Sequence, residues 1–373
     1  MSFPCKRESR GFSETDSYRF LLEFIPLEKR GRNDPYLLYM IKTYGYIFYF
    51  FFFILILIPQ PTYPSNLYKY HQVAMGTVIE ITLIADDEEA TNKAALRAFQ
   101  EMKRIEQLMS PKIESGDVFR INQSSGKEWV RISSETIQVI KKAQEISELS
   151  EGGFDITVAP LTELWRKARE KKIPPSVEEV REKLGLVNFK NIEMDREGRV
   201  FLKKKGMAIN LGGIAKGYAV DRAFELLNSL GYKNLIVNAG GDLRVGGLKN
   251  SQPWLIGIQN PRESKNFLAR VSVSDTAVAT SGDYEKFFIY QGKRYHHIFN
   301  PKDGFPAEDC QSVTIVTKDC ITADGLATAV FVLGAEKGYS LCQKLEGGDC
   351  LIVDKGGKII FSPGLKDRTS FGP

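Results

Sequence analysis

Apolar and polar residues alternate along 70–85, which is rich in Val, Ile and Thr and predicts a strand. The spacing then becomes helical. Over 88–108, Ala95, Ala98, Phe99, Met102 and Ile105 fall on one face, predicting an amphipathic helix. Further helices are predicted over 134–149, from Ser176, and over 217–230. Ser176 and Glu179 have the spacing of a capping box, and Gly231 ends the helix before it. Beyond that point strands dominate: 234–245, 254–259, 269–273, 287–290, 295–299 and 312–317, with Gln291-Gly292 as a hairpin turn. A helix over 323–333 interrupts them and another starts near Glu336. Short strands at 351–353 and 359–361 flank a Lys-Gly-Gly-Lys turn. Helices first and strands later predict an α+β fold rather than an alternating parallel sheet.

The N-terminal part follows neither period. Residues 44–58 carry no charge, and their centre reads FYFFFFILILI before Pro59. The run is short for a spanning helix of about 20 residues and matches the apolar region of a secretory signal. A core helix is the alternative, but this run would need burial on every side. Lys42 immediately precedes it, Lys29, Arg30 and Arg32 lie further upstream, and the next basic residue is Lys69. That asymmetry puts the C-terminal bulk outside the cytoplasm, on the periplasmic side or the outer face of the membrane. A start at Met40 gives a normal signal, so 1–39 is expected to be a non-native or disordered extension. Residues 40–58 are then a signal peptide or an N-terminal anchor. No small-x-small site follows Ile58, which leaves cleavage and retention as alternatives, and no cysteine follows it for lipid attachment. The Pro-rich stretch 59–68 predicts a linker, and 69–373 the folded domain.

Composition narrows the function classes. In 373 residues, 43% hydrophobic and 26% charged, the net charge is only +5, and basic residues are interleaved with acidic ones. There is no basic stripe with aromatic spacing, which argues against nucleic-acid binding. There are five cysteines and no C-x-x-C pair, which argues against a zinc ribbon or a thioredoxin-like site. Cys310, Cys320, Cys342 and Cys350 are either disulfide-bonded in an oxidising compartment or buried thiols.

Four segments carry candidate chemistry. Met75-Gly76-Thr77 stands out in the opening strand. The run 152–160, GGFDITVAP, offers the Asp155 carboxylate beside an aromatic ring, or simply a capped turn. The run 210–221, NLGGIAKGYAVD, lies between a strand and a helix. Its glycines let backbone approach a phosphate, helix-start N–H groups favour anions, and Lys216 adds a point charge. It has neither Walker nor Gly-x-Gly-x-x-Gly spacing. The fourth segment is split between 296–306 and 322–328. His296 and His297, two of three histidines in the chain, would point to opposite faces of a strand, so at most one enters a given site. Asp324 and Thr328 are four apart, on one helix face, and their oxygens suit a hard cation such as Mg2+. A helix-dipole role for Asp324 is the alternative.

In order, MGT, GGFDITVAPL, NLGGIAKGYAVD, VNAGGDLRVGG, TSGDYEKFF, HHIFNPKDGFP and ADGLATAVFVLG resemble the ApbE family of FAD:protein FMN transferases over about 70–362. The resemblance implies a two-lobed, T-fold-like α+β protein with mixed or antiparallel sheets and FAD in a cleft between the lobes. It implies a Mg2+-dependent transfer of FMN from FAD to a Thr or Ser of a partner, with release of AMP. The flavin acceptor protein would be a redox subunit of the Rnf or Nqr type. By motif position, Met75, Asp155, Lys216 and His297 would face FAD. The Gly213 carbonyl, Asp324 and Thr328 would bind Mg2+, and His297 with Asp324 would be catalytic. The chain departs from the family at Asn210, where Asp is usual, at 109–112, where an aromatic near Lys112 is usual, and in lacking the lipoprotein cysteine of some members. An FAD pyrophosphatase and a non-catalytic flavin binder are the alternative readings.

Overall fold

The strands Asn66–Ala74 (β1), Thr77–Ala85 (β2), Leu235–Ala239 (β3), Asp242–Gly246 (β4), Thr276–Gly282 (β5), Cys310–Thr317 (β6), Asp349–Asp354 (β7) and Ile359–Phe361 (β8) form one sheet. Their order across the sheet is their order along the chain, and every neighbouring pair is antiparallel. The sheet is a meander with long excursions inserted between its strands. The coordinates are a computed structural model and describe residues 66–345 and 347–371. The expected extension, the hydrophobic segment and most of the linker lie outside these residues. Among the described residues, no helix is long and apolar enough to cross a membrane.

Period-2 alternation gives the sheet two packed faces. On one face Ile79, Ile81 and Leu83 of β2, with Val313 and Ile315 of β6, are fully buried. They share a core with three helices: Glu88–Met109 (α1), Ala215–Ser229 and Cys320–Gln343. With Ser134–Leu149 as α2 and Ala159–Lys171 as α3 between them, these last two are α4 and α5. On the other face Leu243, Val245, Val316 and Val353 meet Trp254, Val271 and Val273 of a three-stranded sheet. A third cluster joins α3 to the segment around the histidines: Trp165 stacks on Phe299 and Tyr295, and its Nε1–H donates to the Gly304 carbonyl at 2.9 Å. Each such large side chain contributes about 2–3 kcal/mol by leaving water. The α+β fold is what the sequence predicts, with antiparallel pairing throughout the large sheet.

Some elements differ from expectation. The predicted strand 70–85 is a hairpin, β1–β2, whose tip is Met75-Gly76 with φ 53° and 74°. The predicted strand 234–245 is likewise the hairpin β3–β4 around Gly240-Gly241. Alternation runs unbroken through the first turn, where Gly76 is the sign of reversal, and in the second the signs are Asn238, Gly240, Gly241 and Asp242. β5 was not predicted because its small residues, Ala277 and Ala279 among them, lack the β-branched signature, yet both are fully buried. Helices Asp117–Gln123 and α3 were also unpredicted. The two helices expected over 323–333 and from 336 are one element, α5, broken only by non-helical backbone at Gly334. The Ser176–Glu179 capping box is present in both directions, worth about 1 kcal/mol. Cys310, Cys320, Cys342 and Cys350 are buried free thiols.

Candidate functional site

The site is built where the starts of α4 and α5 cross. Ile214 caps α4 without a side-chain bond, so the first N–H groups of the helix need outside acceptors. Asp324 of α5 supplies one: the Gly217 N–H donates to its Oδ2 at 3.0 Å. The approach requires glycine, since a Cβ at position 217 would lie 2.3 Å from the Cys320 carbonyl oxygen. Asp221 of α4 answers in the other direction, accepting the Cys320 and Ile321 N–H groups at 2.9 Å each. Arg244 donates to the same carboxylate at 2.9 Å. Asp319 completes the cap of α5 by accepting the Thr322 N–H at 3.0 Å. Two helix starts are thus tied together by each other's carboxylates.

Lys216 lies in the first turn of α4. Its ammonium pairs directly with Asp242 and stands 3.8 Å from Asp324 Oδ1. Both carboxylates are buried. Burial raises the Asp324 pKa, opposed by the Lys216 charge and the Gly217 N–H. One turn along the same face, Thr328 Oγ1 lies 3.2 Å from Ser281 Oγ of β5. A Cβ on Gly213 would lie 3.4 Å from Thr328 Oγ1, so the loop before α4 abuts this hydroxyl. The segment bearing Gly213 and Lys216 and the segment bearing Asp324 and Thr328, about a hundred residues apart, are brought together.

The donors around Asp324 are oxygens: buried carboxylates, two hydroxyls and the backbone at Gly213. This is the chemistry of a hard cation that keeps part of its shell for water and phosphate, so Mg2+ fits. Among the described residues, no group of three or more His, Cys, Asp or Glu side chains could hold a metal. Hydroxyl and carbonyl oxygens would therefore have to share the coordination.

The strand expected over 295–299 is Lys293–His296, so His297 lies just past its end, and the two histidines part there rather than by alternation along a strand. His296 is buried, with Nε2 bonded to the Ala307 carbonyl at 2.7 Å, while Nδ1 accepts the Ile298 N–H at 3.2 Å. It ties down its loop and packs edge-on against Phe331. His297 keeps an exposed surface. Crowding by protein atoms, followed by the charges of Lys286, His296, Lys216 and Arg169, lowers its pKa. Solvent at the open surface screens part of that effect, and the imidazole is neutral at pH 7.

Met75 sits at the hairpin tip, its N–H donating to Glu106 Oε1 at 2.9 Å. The tip adjoins the β3–β4 turn, where the Gly240 N–H donates to the Val78 carbonyl at 3.2 Å. Asp155 is buried with both oxygens engaged by its own chain: Oδ1 accepts from the N–H and hydroxyl of Thr157 at 2.7 and 2.6 Å, and Oδ2 from the Phe189 N–H at 2.9 Å. It caps the turn Ile156–Val158, and the neighbouring Phe154 ring flanks Gly213. Asn210 accepts the Gly212 N–H at 2.8 Å and shapes the loop before α4. Three residues of the site escaped the sequence reading: Asp242, Ser281 and Asp221. Each lies inside a motif that stood out (GGD, TSGD and the end of NLGGIAKGYAVD), but only contact across the fold reveals what each touches.

A family model described as the ApbE family matches residues 75–352. The FAD:protein FMN transferase of Klebsiella pneumoniae (strain 342) is 32% identical over 312 residues, covering 83% of this chain and 95% of that protein. The FAD:protein FMN transferase of Treponema pallidum (strain Nichols) is 30% identical over 320 residues, covering 81% and 88%. Among solved structures, the ApbE protein of Thermotoga maritima MSB8 is 38% identical with a TM-score of 0.75, covering 81% of this chain and 99% of that one. The flavin transferase ApbE of Vibrio cholerae is 28% identical with a TM-score of 0.72, covering 82% and 100%.

Proposed function

The chain belongs to the ApbE family, whose model spans 75–352, and on that premise we propose that it is a Mg2+-dependent FAD:protein FMN transferase. It moves FMN from FAD to a Thr or Ser of a partner redox protein and releases AMP. What carries this reading is that Lys216 stands beside Asp324 while the Gly213 loop abuts Thr328, one turn further along the helix that bears Asp324. A pyrophosphate needs neutralised charge and fixed position more than covalent chemistry by the enzyme.

Bound at Asp324, Thr328 and the Gly213 carbonyl, Mg2+ would supply charge neutralisation at the pyrophosphate. The remaining roles fall to the chain. Lys216 pairs with phosphate oxygens, Met75 and His297 face the rest of FAD, and Asp155, its oxygens held by Thr157 and Phe189, shapes the loop beside it. His297, neutral at pH 7, takes the proton of the acceptor hydroxyl. The freed oxygen bonds to the FMN-side phosphorus as the bond from that phosphorus to the bridging oxygen breaks. AMP leaves with the electron pair. The acceptor is a subunit of a membrane redox complex of the Rnf or Nqr type, met outside the cytoplasm, with 40–58 as signal or anchor.

The test is to incubate the protein with FAD, Mg2+ and an acceptor domain bearing a candidate Thr, and to weigh the acceptor by intact mass spectrometry. A gain of one FMN minus water, lost with EDTA, supports the transferase. Free FMN and AMP with an authentic acceptor unmodified would replace it by an FAD pyrophosphatase. FAD bound but unchanged would leave a passive flavin binder.

A further inference from the structure

Asp242 has no role in the chemistry above, yet it pairs directly with Lys216. It opens β4 straight after the Gly240-Gly241 turn. That turn is pinned: the Gly241 N–H donates to Asn238 Oδ1 at 2.9 Å, and a Cβ on Gly240, whose φ is +64°, would meet Thr77 Oγ1 at 2.2 Å. Asp242 is therefore an anion fixed by sheet backbone, its side chain 3% exposed. A buried carboxylate demands a cation, and Lys216 supplies it.

The same ammonium lies 3.8 Å from Asp324, outside hydrogen-bond distance. One flexible lysine is thus shared between two buried anions carried by different elements, and it leans toward Asp242. Without that pull, Asp324 would be the buried anion left beside Lys216, and the ammonium would compete there with any incoming cation.

We propose that Asp242 is a positioning residue that holds Lys216 off Asp324, leaving the Asp324 carboxylate open to a divalent cation and the ammonium set for phosphate. This rests on the reading of Asp324 as a Mg2+ ligand and of Lys216 as a contact to FAD. The neighbouring hydroxyls of Ser281 and Thr328 carry no charge to do the same work.

The experiment is Mg2+ titration calorimetry without FAD on the full chain as wild type, Asp242→Asn, Lys216→Met and the double variant, each checked for folding by thermal melt. Asp242→Asn is expected to raise the Mg2+ Kd about tenfold when Lys216 is present and less than about threefold in the Lys216→Met background. With FAD, KM should rise for Asp242→Asn as the ammonium leaves its place. An unchanged Kd would overturn the proposal, as would an equal loss in both backgrounds, which would make Asp242 act on the cation directly. Should Asp242→Asn not fold, the same cycle with Asp242→Ser, which also removes the charge, reads the same coupling. Wild type that transfers FMN with Mg2+ while Asp242→Asn binds Mg2+ normally would sink this inference alone. Wild type that binds no Mg2+ would sink both it and the metal reading.

Discussion

The backbone N–H of Gly217 donates to Asp324 Oδ2 at 3.0 Å, so the first turn of one helix holds the carboxylate of another. The bond leaves Oδ1 facing Lys216. It exists only because α4 comes within contact of the Cys320 carbonyl, a space that a methyl group would fill. Gly217→Ala should therefore destabilise the fold by about 1–3 kcal/mol through overpacking. Chemical denaturation of both proteins reads this as a lower midpoint at an unchanged slope. An unchanged midpoint would mean that the helices separate freely.

Asp324→Asn keeps the shape and the bond from Gly217 but removes the charge. Lys216 retains Asp242 as its partner, so folding should be preserved. Mg2+-dependent FMN transfer should fall at least about a hundredfold, in keeping with loss of a charged group acting at the transition state, while FAD fluorescence quenching still reports binding. Transfer at the wild-type rate would remove Asp324 from the metal site.

His297→Ala should lower transfer by about 10²–10⁴-fold with FAD affinity retained, the range for a lost general base. Crowding and the surrounding cations lower the pKa of His297, so protonation inactivates the base only below the ordinary histidine range near 6.5. The acid limb of the kcat/KM profile is expected below the ordinary histidine range, in the direction in which crowding and the neighbouring cations push His297. A limb at or above pH 6.5, abolished by His297→Ala, would show that the imidazole titrates as it does in water.

Asp221 offers a stability test with a defined sign. Burial raises its pKa from 3.8 to about 6, against the Cys320 and Ile321 N–H groups and Arg244, with Asp319 adding to the rise. A raised carboxyl means that the folded chain binds the proton more tightly than the unfolded chain. The stability it contributes is present below pH 3.8 and is lost as pH rises through about 6. Asp221→Asn should flatten the stability curve across that window, measured by urea unfolding at several pH values. The same slope in the variant would assign the pH dependence to other groups.

Much of this was readable from the sequence, though unevenly. The helices 88–108 and 134–149 announced themselves because an exposed helix must bury one face, and that face recurs every 3.6 residues. Ser176 and Glu179 marked a helix start because capping is local chemistry. The hairpins β1–β2 and β3–β4 were hidden because both arms are apolar and alternate, so no change of period marks the turn. β5 was hidden because Ala277 and Ala279, though fully buried, carry no strand signal of their own.

The sequence by itself determined the α+β class, the family resemblance and the glycine-rich segment before α4, along with the pairing of Asp324 and Thr328 on one helix face. Those follow from spacing along one chain segment, which secondary structure converts directly into geometry. Only the tertiary structure decided that Lys216 meets Asp242, that Asp221 caps the helix carrying Asp324, that Ser281 faces Thr328, and that Asp155 spends its oxygens on Thr157 and Phe189. Such contacts join residues up to about a hundred positions apart. No local pattern encodes them, because burial of a charge is settled by which distant element arrives to pair with it.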